Sequence, residues 1–104
     1  MYEYSAKLVR VIDGDTVVMD LDLGFKITQR HTLRLHGINA PKQRTLEGMK
    51  ATKHISQLLA RNPHYVVCTH KTGKYGRYIA EIWSAEEAMS INDRMIEDGH
   101  AEPY

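Results

Sequence analysis

The sequence predicts an α+β fold, a small β-barrel or curled sheet of five strands together with two helices. In three early stretches and two later ones, apolar residues recur at every second position, which is typical of half-buried strands. After the third stretch the spacing becomes that of an amphipathic helix, and a helix-capping pattern follows the fifth. The resulting order, β-β-β-α-β-β-α, is that of a five-stranded Greek-key barrel of the OB type.

The first two predicted strands form a hairpin. Residues 4–12 alternate, and they end at Asp13-Gly14, a dipeptide that favours a tight turn between two apolar runs. A second strand follows this turn, and Gly24 ends it. One face of the second strand carries Val17, Met19, Leu21 and Leu23.

The third predicted strand covers residues 26–38. Leu33 and Leu35 face one way and Arg34 faces the other, until Gly37 disrupts regular pairing. The strand therefore places one positive charge between leucines.

The helical spacing covers residues 46–60, and two more strands are predicted at residues 65–70 and 78–83. Ser90 has the spacing of a capping residue before a short second helix, which Gly99 can end in a left-handed conformation. The apolar face of the first helix carries Ala51, Ile55, Leu58 and Leu59.

Composition excludes several classes of protein. With 104 residues and a net charge of +1, the chain is expected to form one domain, residues 1–104, without the strong positive charge of many nucleic-acid-binding domains. Cys68 is the only cysteine, which excludes an internal disulfide, and it is expected to be a small buried apolar residue. The N-terminus lacks a signal-peptide pattern and no apolar run approaches a membrane span. We expect a soluble cytoplasmic protein that does not enter a membrane.

The first candidate site is the turn "VIDGDTV", residues 11–17. Asp13 and Asp15 flank a glycine there, and hard cations such as calcium bind carboxylate oxygens held in this way. The alternative is that Asp-Gly only makes the hairpin turn. Asp15 is less easily explained by the turn alone.

The other candidates are basic and aromatic residues. Arg34 presents a guanidinium, whose fork of donors suits phosphate. The segment "GKYGRY", residues 73–78, adds Lys74 and Arg77 as cations and Tyr75 as a ring that can stack on a base. A polar hairpin loop is the structural alternative for this segment.

Together these segments resemble the staphylococcal nuclease (thermonuclease) family. The resemblance rests on "LVRVIDGDTV", "LRLHGINAP", the amphipathic helix, "KYGRYIAEIW" and "EDGHAEPY", in this order. It implies an OB-type barrel and calcium-dependent hydrolysis of nucleic-acid phosphodiesters. It places calcium binding on Asp15, and binding and polarisation of the scissile phosphate on Arg34 and Arg77. A bacterial or bacteriophage source would fit a small domain of this kind.

The chain departs from the family where "D-[TA]-P-E" is expected, because it has Asn39, Ala40, Pro41 and Lys42. Asn39 can still offer an oxygen to calcium but brings no charge, so metal binding there is expected to be weak or lost. Lys42 replaces the glutamate that activates water, and an ammonium has no acceptor for a proton. Loss of a positioned base typically lowers a rate by about 10²- to 10⁴-fold.

Three hypotheses remain open at this point. The first is a phosphate-binding domain with little or no nuclease activity, in which Arg34, Lys42, Lys74, Tyr75 and Arg77 contact nucleic acid or a nucleotide. The second is an active calcium-dependent nuclease in which other acids substitute, with Glu47 as base and Asp13 or Asp20 as cation ligands. The third is a non-catalytic protein-interaction module. The oligomeric state cannot be read from the sequence.

Overall fold

The computed structural model describes residues 2–72, 77–84 and 87–104. Its elements are β1 (Tyr2–Asp13), β2 (Thr16–Asp22), β3 (Thr28–Leu35), β4 (Ile38–Asn39), α1 (Leu46–Leu59), β5 (Tyr65–Thr72), β6 (Tyr78–Trp83), α2 (Ile91–Glu97) and β7 (Glu102–Pro103).

Five of the strands form a closed barrel in the order β1-β2-β3-β6-β5, and β4 pairs with β7 in a separate two-stranded sheet. The barrel pairings are antiparallel except for that of β3 with β6, which is parallel. This arrangement confirms the predicted OB-type α+β fold with two helices.

All five barrel strands contribute to one apolar core. Alternate residues point inward because successive side chains of a strand lie on opposite faces. The buried residues from the strands are Ala6, Val17, Met19, Leu21, Leu33, Leu35, Tyr65, Val67, Ala80 and Ile82. The two helices close the core with Ala51, Ile55, Leu58, Leu59, Ile91 and Met95.

Both helices begin at a capping residue, of which Ser90 was predicted and Thr45 was not. Thr45 caps α1, where its side chain accepts a hydrogen bond from the backbone N–H of Gly48. Ser90 caps α2 in the same way, and Gly99 follows that helix with a φ of 81°. Helix α1 ends one residue earlier than predicted, and Ala60 is its cap.

A buried asparagine that the sequence did not single out ties α2 to the barrel. The Asn92 side chain accepts from the N–H of Ile82 at 3.0 Å and donates to the carbonyls of His36 at 2.9 Å and Ala80 at 3.0 Å. Because Asn92 is only 2% exposed, these bonds replace the water that its amide would otherwise bind.

The prediction was wrong about the connection between β2 and β3. Residue 26 was expected to begin a strand, but Phe25 and Lys26 have φ values of 54° and 62° and form the centre of a turn. The turn is closed by a bond of 2.9 Å from the N–H of Ile27 to the carbonyl of Gly24, the pattern of a type I′ hairpin turn. Left-handed backbone costs an ordinary L-residue about 1 to 2 kcal/mol.

Two smaller expectations were also wrong. Leu23 is 39% exposed rather than on the apolar face, because it lies beyond the end of β2. Cys68 is half-buried rather than buried, since its neighbour Val67 is the residue of β5 that points inward. The Cys68 thiol lies 3.5 Å from a carboxylate oxygen of Glu3 on β1.

Candidate functional site

Asp15 forms the centre of the candidate site, in the turn between β1 and β2. Although charged, it is only 7% exposed. Its Oδ1 accepts a hydrogen bond from the Thr16 hydroxyl at 2.9 Å, and its Oδ2 accepts one from the backbone N–H of Ala40 at 2.9 Å. The carboxylate therefore links the first hairpin to the segment that follows β4.

Gly14 allows this turn to pack closely. A Cβ at this position would lie 2.9 Å from the Cβ atoms of both Ala40 and Ala51. Only a residue without a side chain leaves room for the Ala40 segment and α1 at such distances. Beside it, Asp13 accepts a hydrogen bond of 3.2 Å from the N–H of Gln43.

Arg34 lies beside Asp15 because β3 pairs with β2 in a register that sets Arg34 opposite Thr16. Its Nη1 is 3.3 Å from Oδ2 of Asp15 and 3.3 Å from the carbonyl oxygen of Leu35. Its Nη2 donates to Oδ1 of Asn39 at 3.3 Å. Arg34 therefore directs both terminal nitrogens at acceptors of the protein, and about a fifth of its side-chain surface stays exposed.

Tyr104 covers one face of the same guanidinium. The Cζ atom of Arg34 lies 5.9 Å from the centre of the tyrosine ring, within the range of a cation–π contact. The N–H of Tyr104 donates to the carbonyl of Gly37 at 2.9 Å, next to the pairing of β4 with β7. The segment after α2 thus returns to the site.

Arg77 lies just before β6, the strand that pairs with the strand of Arg34. Arg77 directly precedes β6 and is half-buried, and Ile79, two residues later, is the register partner of Arg34. Arg77 thus lies one two-residue step before the position opposite Arg34. Lys74 and Tyr75 lie outside the described residues, so their predicted roles stay predictions.

Lys42 is exposed in the segment between β4 and α1. Its carbonyl accepts from the hydroxyl of Thr45 at 2.7 Å and from the N–H of Thr45 at 2.9 Å. A Cβ on Gly48 would overlap that carbonyl, so the glycine lets the segment pack against the first turn of α1. The backbone of Lys42 is therefore held in place while its side chain faces solvent.

A groove of about 480 Å³ adjoins the site, and Asn39 is one of its walls. Of the predicted substitute acids, Glu47 lines this groove. Asp20 does not, because it lies about 16 Å along β2 from Asp15, too far to share a cation with it. Asp20 instead pairs with Arg30 at 2.9 Å. The remaining lining residues are Ala40, Pro41, Lys50, Gly99, His100, Ala101 and Glu102.

Sequence reasoning missed the part of the groove that comes from beyond α2. Glu102 reaches it because β7 pairs with β4, with Asn39 opposite Glu102. The ring of His100 stacks on that of His54 with 4.3 Å between ring centres, and His54 lies 2.6 Å from Oδ2 of Asp98. The hydrogen bond from His54, supported by one from Arg94, holds the pKa of Asp98 below its usual value.

The donor set present does not fit a calcium ion well. Calcium takes six to eight oxygen ligands, usually including several carboxylates. Among the described residues, Asp15 is the one carboxylate that Arg34 contacts, each of its oxygens already accepts one hydrogen bond, and Asn39 offers only a neutral oxygen that accepts from Arg34. Within residues 2–72, 77–84 and 87–104, no group of three His, Cys, Asp or Glu side chains is arranged to hold a metal ion.

The comparisons with known proteins decide the family. The sequence profile described as staphylococcal nuclease homologue matches residues 32–104, which is more than half of the chain. The chain belongs to this family. The match covers Arg34, Asn39, Lys42 and Arg77 of the candidate site, whereas Asp15 lies before its start.

One relative extends over almost all of the chain. Protein ParB of Escherichia coli is 30% identical over 109 aligned residues, which cover 98% of this chain. The chain spans 58% of the length of that protein. In the parts of the chain that the structure describes, no helix of this staphylococcal nuclease homologue is long and apolar enough to cross a membrane.

Proposed function

We propose that the chain is a nucleic-acid phosphate-binding domain of the staphylococcal nuclease family with lost or strongly reduced nuclease activity. The observation that carries this proposal is the contact set of Arg34. Its guanidinium holds Asp15 and Asn39, the two side chains that the family resemblance assigns to calcium. A positive charge supplied by the protein thus lies against the oxygens that a cation would need.

This arrangement suits a phosphate. Arg34 is oriented by fixed acceptors and by Tyr104, so its remaining donors lose little freedom on binding an anion. Arg77 lies just before the neighbouring strand, and Lys42, exposed three residues after Asn39, would supply a third cation. Against Asp15, the carboxylate that Arg34 contacts, these residues would set three positive charges.

The same arrangement is poor for hydrolysis. Attack on a phosphodiester needs a base that removes a proton from water, and Lys42 stands where the family has its glutamate. A weakly held cation would also fail to polarise the phosphate. We therefore expect binding without appreciable cleavage.

The first test compares the chain with its double reversion, Asn39→Asp with Lys42→Glu. Calorimetry measures calcium binding, and a cleavage assay uses single-stranded DNA with added calcium. We expect the reversion to gain both calcium affinity and cutting. Calcium-dependent cutting by the unchanged chain would overturn the loss of activity.

The second test addresses phosphate binding itself. Arg34→Ala and Arg77→Ala should each weaken oligonucleotide binding and reduce the slope of log K against log salt by about 0.7. Arg34→Lys keeps the charge without the fork and should recover only part of the affinity. Arg30→Ala is the matched control, because Arg30 lies on the same strand but pairs with Asp20. Equal effects of Arg30→Ala and Arg77→Ala would contradict a specific phosphate site.

A second candidate function, an active nuclease with a substitute base, is favoured by one observation. Glu47 lines the same groove as Asn39. If Glu47 replaces the missing glutamate, Glu47→Gln should abolish any cleavage by the unchanged chain while leaving oligonucleotide affinity intact. Residual cleavage that survives this substitution would exclude Glu47 as the base.

A further inference from the structure

The hairpin turn between β2 and β3 exposes a cluster of apolar side chains, which we call the hairpin tip: Leu23, Phe25 and Ile27. Phe25 is the only phenylalanine of the chain and is 97% exposed, and Ile27 is 55% exposed. A large aromatic residue normally buries most of its surface. A ring that is almost wholly exposed therefore contributes little to the packing of the fold.

A second, independent observation concerns the backbone of the same residues. Phe25 and Lys26 occupy the two central positions of a type I′ turn, with φ values of 54° and 62°. These positions favour Asn and Gly, since both tolerate left-handed backbone. A bulky ring kept at a strained position, with no burial to offset the strain, points to a role outside the fold.

From these observations we infer that the hairpin tip is a stacking site for an unpaired base of single-stranded nucleic acid, with Phe25 as the platform. This inference rests on the proposed function, because the phosphate site at the other end of β2 and β3 would hold the same strand. An exposed ring can stack on any base, since every base has a flat π-face.

The charges around the hairpin tip are compatible with this ligand. Asp20 is paired with Arg30 at 2.9 Å, and the negative charge of Asp22, which accepts from the N–H of Gly24 at 2.9 Å, is offset by the positive charge of Lys26. Lys26 is exposed next to Phe25 and brings a positive charge to the apex of the turn. A phosphate flanking the stacked base would find that ammonium within reach.

The geometry also fits one ligand that spans both sites. Thr28, at the start of β3, and Arg34 are six positions apart along an extended strand, which corresponds to about 20 Å, and Phe25 lies in the turn just before Thr28. At the stacked rise of about 3.4 Å per nucleotide this is at least roughly six nucleotides, and OB folds cover about 4 to 16 nucleotides. A single strand of moderate length can therefore contact both.

The area of the hairpin tip argues against a second copy of the chain as its occupant. A stable protein interface buries about 800 Å² on each partner, whereas an aromatic residue buries about 150 to 250 Å². Three partly exposed side chains at the end of a narrow turn fall well below that area. A nucleic-acid base, in contrast, needs only the surface of one aromatic ring to stack on.

The experiment measures the affinity for a 16-nucleotide thymine homopolymer and for thymidine 5′-monophosphate, with the whole chain and with Phe25→Asn. Asparagine accepts the left-handed backbone, so this variant removes the ring without straining the turn. We expect the homopolymer to bind roughly 10- to 100-fold more weakly and the mononucleotide to bind unchanged. Leu46→Asn is the control, because Leu46 is 64% exposed on α1, away from the hairpin tip.

A second variant gives a direct signal of stacking. Phe25→Trp should keep the affinity for the homopolymer, and the fluorescence of the added indole should be quenched on binding, relative to the unchanged chain, whose single tryptophan is Trp83. Full affinity of Phe25→Asn for the homopolymer would overturn the inference and leave the proposed function standing.

The remaining outcomes separate the two proposals. If the unchanged chain binds neither ligand, the proposed function fails and the inference fails with it. If the homopolymer binds through Phe25 but the mononucleotide does not bind, the hairpin contact stands and the phosphate site fails. Phe25-dependent binding to phosphatidylcholine–phosphatidylserine vesicles, or a dimer that Phe25→Asn dissociates, would also overturn the inference.

Discussion

The two ends of β2 differ in almost every respect. At its start, Asp15 is buried and engaged by Thr16, Ala40 and Arg34. Past its end, Phe25 projects into solvent from a turn that its residue type does not favour. At the Asp15 end the polar groups bind other groups of the protein, whereas at the Phe25 end apolar side chains remain exposed to solvent. The contrast teaches that two different features can suggest a ligand site. One is a buried charged group with several polar contacts, and the other is an exposed apolar side chain that packs against nothing.

The largest expected effect on stability is at the Asp15 end of β2. Asp15→Ala should lower the free energy of unfolding by about 3 kcal/mol, because it leaves the N–H of Ala40 and the largely buried Arg34 without their acceptor. Urea denaturation measures the change. Asp20→Ala, which breaks the exposed pair with Arg30 further along β2, should change stability little. Equal losses of unfolding free energy from the two substitutions would show that the buried contacts of Asp15 stabilise the fold no more than an exposed ion pair does.

The next effect compares the two glycine-containing turns. Gly14→Ala should cost about 2 kcal/mol, because the new Cβ meets those of Ala40 and Ala51 at 2.9 Å. Gly24→Ala should cost about 1 kcal/mol, since it meets no atom within 4 Å but must keep a φ of 82°. Thermal unfolding of both variants checks the order, and a costlier Gly24→Ala would show that backbone conformation outweighs packing here.

A change at the exposed end should raise stability rather than lower it. Phe25→Asn combined with Lys26→Gly places the preferred residues of a type I′ turn at the two left-handed positions. We expect a gain of about 1 to 2 kcal/mol in the free energy of unfolding. A loss of stability would mean that the Phe25 ring stabilises the fold, which would remove the reason to look for its ligand.

The smallest expected effect is on the acid side of the stability curve. The hydrogen bond from Arg30 lowers the pKa of Asp20 below its usual value. Such a group stabilises the fold above its unfolded pKa of about 3.9, and this contribution is lost as the pH falls through the lower folded value. An NMR titration should show the pKa of Asp20 rising in Arg30→Ala. An unchanged pKa would show that the pair is not formed in solution.

Most of the fold was predictable because its signals are local. Alternation identified the barrel strands, and the positions of Ala51, Ile55 and Leu58 identified the buried face of α1. The pairing of β4 with β7 was not predictable, since strands of two residues carry no periodicity. The turn at Phe25 was missed because neither of its central residues favours the conformation that they adopt.

The site was predictable only in part, for a similar reason. Motif resemblance singled out Asp15, Arg34 and Asn39, and the structure brings these three side chains into contact. The groove was missed because its walls come from chain segments that meet only through β4 and β7, with Glu102 opposite Asn39. No spacing rule links residues that are so far apart in sequence.

The parallel pairing of β3 with β6 has a consequence for the order of folding. Asp15 lies in the turn before β2 and Arg34 on β3, which pairs with β2, so their contact can form as soon as the first two hairpins have formed. Arg77 joins them only after α1 and β5 have been laid down and the barrel closes, a slow step because it pairs distant segments. The single tryptophan, Trp83, lies on β6 and should report this closure in stopped-flow refolding. Arg34 and Arg77, the two arginines of the proposed phosphate site, would then mark the early and the late stages of one folding reaction.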